Sequence, residues 1–119
     1  MDRELYHLKK LEEIARGDSD FIHDMVVTFY VNVTSDLNHI LSFKFEENWK
    51  FIGETAHKLA SNFAYLGADD LHDLAVDIEK RILNDNNLTG IVEKIDQLYQ
   101  QGMDMLGQVD KDFGLKNTI

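Results

Sequence analysis

Neither cysteine nor proline occurs in the 119 residues, and there is a single tryptophan. Without cysteine there is no disulfide, no thiolate metal site and no cysteine nucleophile. Without proline the commonest breaker of helices is missing, which favours a helical chain. Cations are also scarce: 12 Lys and Arg stand against 22 Asp and Glu, a net charge of −10. Proteins bind nucleic acid largely by neutralising phosphates, so nucleic acid is not an expected partner, and anionic lipid is disfavoured for the same reason. No apolar run is long enough to span a bilayer. Met1 to Lys10 carry charges of both signs and lack the apolar stretch of a secretory signal. These absences point to a cytoplasmic protein whose partner is another protein or a small ligand.

What is present suits one domain. Apolar residues make up 44% of the chain, enough for a core at this length. There is no repeat, no low-complexity tract and no linker, so residues 1–119 read as a single domain. Apolar spacing then predicts five helices. The first runs from about Asp2 to Ala15 with Leu5, Leu8, Leu11 and Ile14 on one side. Asp18 or Ser19 caps a second, whose seam is Ile22, Val26, Phe29, Val33, Leu37 and Ile40. A third extends from near Glu46 to Leu66, with Gly67 as its stop. Asp69 or Asp70 caps a fourth through Leu71, Leu74 or Ala75, Ile78 and Ile82; Asn84 to Asn87 form a loop. The fifth carries Leu88, Ile91, Ile95, Leu98, Gly102, Met105 and Val109, beyond which the pattern fades and the tail is expected to fray. Short connections between long helices predict an all-α, antiparallel up-down-up-down four-helix bundle over about 18–110, preceded by a short N-terminal helix. The stripes are accounted for without a second copy, so a monomer is expected.

The third helix carries the functional signal. Its seam is Trp49, Ile52, Ala56, Leu59, Phe63 and Leu66, and His57 is not on it. The histidine lies one residue past Ala56, turned away by ~100°. Gly53, Ala60, Ser61 and Ala64 stand at −4, +3, +4 and +7 from it, all small. A histidine among such neighbours is open to a macromolecular partner, with Lys50, Glu54 and Lys58 as the rim. A mid-helix glycine costs ~1 kcal/mol against alanine, so Gly53 suggests a close approach. An exposed histidine with no role is the competing reading, and alanines can simply be helix filler. The surplus apolar residues of the second helix, Met25, Val27, Tyr30 and Val31, suit either a partner patch or the packing of the first helix.

Ala56-His57-Lys58-Leu59-Ala60-Ser61-Asn62-Phe63-Ala64-Tyr65-Leu66-Gly67-Ala68 resembles the signature of histidine-containing phosphotransfer (HPt) domains, A-H-x-L-K-G-S-S-x-x-L-G-A. The resemblance extends from Leu11 through about Leu98. It implies an antiparallel four-helix bundle with an exposed histidine, and His57 as phosphoryl acceptor. By the same resemblance the partners are response-regulator receiver domains and a hybrid histidine kinase. The receiver supplies Mg²⁺, and this chain binds no cofactor. Two positions depart from the family: Ala60 stands where a lysine helps neutralise the phosphoryl group, and Ser61 replaces the following glycine. Lys58 and Ser61 are the remaining residues to neutralise or orient a phosphoryl group, and Gly53, Glu54, Ala60, Ala64 and Lys50 are expected to receive the partner. No glycine-rich phosphate loop is present, so phosphorylation directly from ATP is not expected.

Two other readings stay open. An HPt-like bundle that docks a receiver or kinase without carrying phosphate is favoured by Ala60. A metal-binding bundle is suggested by Glu54/His57 and Glu4/His7, both with E-x-x-H spacing. All five histidines, however, follow an acidic residue by three positions, the ordinary i,i+3 pairing of an acidic helical protein. His7, His23, His39 and His72 lack the signature and receive no role.

Overall fold

Caps and turns divide the chain as the sequence leads one to expect, with four departures. A computed structural model describes residues 4–115. Its helices are α1, Lys9–Ala15; α2, Ser19–Phe45; α3, Trp49–Tyr65; α4, Asp69–Glu79; and α5, Ile91–Phe113. Asp18 starts α2 by accepting the Phe21 amide at 3.0 Å, and Asn48 starts α3 by accepting that of Phe51 at 3.3 Å. The end of α3 closes with Ala68 N–H on the Phe63 carbonyl and Gly67 N–H on that of Ala64. That closure requires the left-handed backbone of Gly67, φ +61°.

The long helices form a closed ring in which α2 packs on α3 and α5, and α4 on the same two. Connections of three to six residues alternate their direction, giving the antiparallel four-helix bundle, and α1 leans on α2. Inside lie Val26, Val33, Leu37 and Ile40 of α2 with Ile52, Ala56, Leu59 and Phe63 of α3, all fully buried. Ala75 and Ile78 of α4 and Ile95, Leu98 and Met105 of α5 complete the core. On α4 it is Ala75 and not Leu74 that reaches the centre. No helix among the described residues is long and apolar enough to cross a membrane.

The first departure is at the start. The helix expected from Asp2 begins only at Lys9, Asp2 itself lying outside the described residues. Residues 4–8 instead form a strap whose backbone groups bond elsewhere in the fold. His7 N–H donates to the Leu66 carbonyl at 2.9 Å and Leu5 N–H to the Gln108 side chain at 2.8 Å. Tyr6 Oη–H donates to Asp112. These tertiary bonds win over helix propensity. Of the expected α1 stripe only Leu11 is fully buried, while Ile14 is half exposed.

Second, α3 begins at Trp49 and not near Glu46, because Glu47 adopts a positive φ and ends the preceding turn. Third, α4 has no side-chain cap; Asp69 and Asp70 occupy its first turn, and the helix runs on into a π-helical turn, Lys80–Asn84. Last, α5 starts after Gly90 and leaves Leu88 in the exposed loop. It then continues past Val109 to Phe113, and Leu115 is buried beyond it where fraying was expected. Met25, Val27 and Tyr30 pack partly buried against the core.

Candidate functional site

His57 stands on the outer side of α3 with its side chain 72% exposed. Its Nδ1 lies 2.5 Å from Oε2 of Glu79, the last residue of α4. A carboxylate only accepts, so the pairing assigns the proton to Nδ1 and leaves the lone pair on Nε2. Glu79 is well covered, its side chain 23% exposed, and it fixes the ring from the α4 side. The segment carrying it is itself tied down. Asp77 meets Lys94 of α5 at 3.0 Å and Arg81 at 3.1 Å. The hydrogen bond from Lys94 chiefly holds the Asp77 carboxyl below its ordinary value, against an opposing effect of burial.

On its other flank His57 borders an open cleft of about 530 Å³ between α2 and α3. From α3 the walls are His57, Lys58, Ser61 and Asn62; from α2 they are Asn32, Ser35 and Asp36. Lys58 Nζ lies 3.3 Å from Asp36 Oδ1. Asp36 is one of two buried polar residues among the described residues, and of these residues Lys58 is the only cation lining the cleft.

The expected partner face divides in two. At 100° per residue Gly53, Ala60 and Ala64 point ~40°, ~60° and ~20° to one side of His57, while Ser61, Lys58 and Asn62 point ~40°, ~100° and ~140° to the other. The first side is occupied by α4 and the π-helical turn. A Cβ on Gly53 would lie 2.7 Å from Leu83 Cγ and 3.2 Å from Ile82 Cγ2, so its close approach is intramolecular. Ala60 is 5% exposed, and its carbonyl accepts from His72 Nδ1 at 2.9 Å. Gly53 and Ala60 are therefore packing residues and not an open docking surface, and Ala64 is half-buried. Ser61, Lys58, Lys50 and Glu54 are exposed as expected.

Glu79, Asp36, Asn32 and Ser35 were not singled out from sequence. One signal for Glu79 exists: it follows the buried Ile78 by one residue, as His57 follows the buried Ala56. On antiparallel helices the same offset turns both side chains to the same edge of the interface. Nothing local marks Asp36, whose partner lies on the next helix. The E-x-x-H pairs acquire no further ligand: among the described residues no three His, Asp or Glu side chains are grouped to hold a metal ion.

Compared with protein families, the sequence matches the Hpt domain over residues 24–110, most of the chain and the whole of the site just described. No curated protein and no solved structure gives a match. With the helical bundle and the match over most of its length, the chain belongs to the Hpt domain family, the histidine-phosphotransfer domains of two-component signalling.

Proposed function

We infer that His57 is the phosphoryl acceptor, taking the group from a receiver-domain aspartate and passing it to another receiver. The observation that carries this reading is the pairing of an exposed imidazole with Glu79 through Nδ1, which leaves Nε2 free and outward. In the transfer, Nε2 attacks phosphorus of the aspartyl phosphate. The N–P bond forms as the P–O bond breaks, and the receiver's carboxylate leaves. The ring becomes cationic while its Nδ1 proton stays on the hydrogen bond to Glu79. That carboxylate offsets the new charge. Phosphoryl transfer needs positioning and charge neutralisation more than covalent help, and a Mg²⁺ held by the receiver supplies most of the latter. On this chain Lys58 and Ser61 face the same cleft as His57, where they would meet phosphoryl oxygens. The chain itself holds no cofactor in this scheme.

Phosphorylated receiver with Mg²⁺ should label the wild type, and ATP alone should not. The label should be lost in acid and survive base, as a phosphoimidazole does. His57→Gln should remain folded and unlabelled. Ser61→Trp should block transfer by closing the cleft beside the nucleophile. If receivers bind the wild type but none labels it, the protein is a docking module that carries no phosphate, a reading that Ala60 in place of the family's lysine would then explain.

A further inference from the structure

Among the described residues the cleft beside His57 holds one cation, and that cation already has a partner. Lys58 Nζ sits 3.3 Å from Asp36 Oδ1, and the Asp36 side chain is only 11% exposed against 62% for Lys58. A carboxylate so largely covered has little water to compensate it, so it holds the ammonium beside it. A phosphoryl group on His57 brings about two negative charges to the same cleft and competes for the same ammonium. The family's usual lysine cannot relieve that competition, since position 60 is a buried alanine.

Resting on the reading of His57 as acceptor, we propose that Asp36 is a positioning residue that acts through Lys58: by holding the ammonium on the α2 wall it limits the grip on the phosphoryl group and keeps phosphohistidine labile. Asn32 and Ser35, one turn and one residue before Asp36, share that wall and bring no charge to the balance. The consequence is directional. Neutralising Asp36 frees Lys58 and removes a negative charge, and both changes favour the phosphorylated state.

The test needs no cognate receiver. Potassium phosphoramidate is a small phosphoryl donor: its P–N bond breaks, ammonia leaves, and a new N–P bond forms at the imidazole. Wild type, Asp36→Asn, Lys58→Met and the double variant are labelled in this way. The loss of phosphohistidine is then followed by ³¹P NMR at low and high salt. Asp36→Asn should slow that loss by about three- to tenfold, the effect of one unit charge at a partly solvated site. The gain should shrink in the Lys58→Met background and at high salt, which a merely structural role would not produce. Unchanged or faster loss in Asp36→Asn overturns the proposal. An equal gain with and without Lys58 also overturns it, since Asp36 would then act alone. Asp36→Ala replaces the asparagine variant if the latter does not fold. Failure to label the wild type, or equal labelling of His57→Gln, rejects the acceptor assignment itself and the proposal with it.

Discussion

Replacing Glu79 by glutamine separates orientation from charge at His57. The amide oxygen can still accept from Nδ1, but the carboxylate that offsets the cationic ring is gone. A charge-assisted bond is about twice as strong as a neutral one, so phosphoryl acceptance should fall roughly tenfold, or ~1.4 kcal/mol. Comparing initial labelling rates of Glu79→Gln and wild type checks this; equal rates would leave Glu79 with no part in the chemistry. His57→Gln should cost less than about 1 kcal/mol in a denaturant titration, because it removes only a surface pair. The histidine was legible in the sequence because it falls off an otherwise regular seam. Its surroundings were only half legible. Gly53 announces a close approach, but not by whom, and the approaching groups are Leu83 and Ile82 of the same chain. The period of one helix says which residues leave the core, not on which flank the next helix lies. Ala60 and Ser61 are neighbours in sequence, yet Ala60 is buried and Ser61 exposed.

Among the helices, α2, α3 and, from Ile91 on, α5 follow their seams closely, since each buries one stripe continuously. The strap at residues 4–8 does not, for Leu5 and Leu8 keep helical spacing while the amides of His7 and Leu5 bond to Leu66 and Gln108. Such long-range bonds leave no trace in local periodicity. Two glycines show what inter-helix distance costs. On α5, a Cβ at Gly102 would stand 2.7 Å from Cδ1 of Leu37, which is fully buried and has nowhere to go. Gly102→Ala should therefore destabilise by about 1–3 kcal/mol despite the better helix propensity of alanine. Gly53→Ala meets mainly Leu83, 44% exposed and free to swing outward, so its cost should be smaller. Denaturation midpoints of the two variants check the order. In α3 itself, Leu59→Ala or Phe63→Ala should cost on the order of 2–5 kcal/mol, both side chains being fully buried.

For the molecule as a whole, the tie between α4 and α5 makes stability depend on pH in a defined direction. Asp77 has its carboxyl lowered from 3.8, first by the hydrogen bond from Lys94. A group lowered on folding contributes fully above its unfolded value, and the contribution is lost as pH falls through the folded one. Asp77→Asn should thus lower the denaturation midpoint at neutral pH, and the gap to wild type should close in acid, below the ordinary aspartate range. A gap that is the same at both ends would show that the loss is one of packing and not of charge. The closed ring of helices also sets where chemistry can occur: α2, α3 and α4 bring groups to His57, while α5 braces them from behind. Trp49 gives this arrangement an optical consequence. The only indole of the chain opens α3, half-buried, eight residues from His57 and so about 12 Å along the same helix. Indole emission shifts when water leaves its surroundings. A partner that settles along α3 changes the emitted colour without any dye attached, and one that grips the far side of the bundle leaves it as it was.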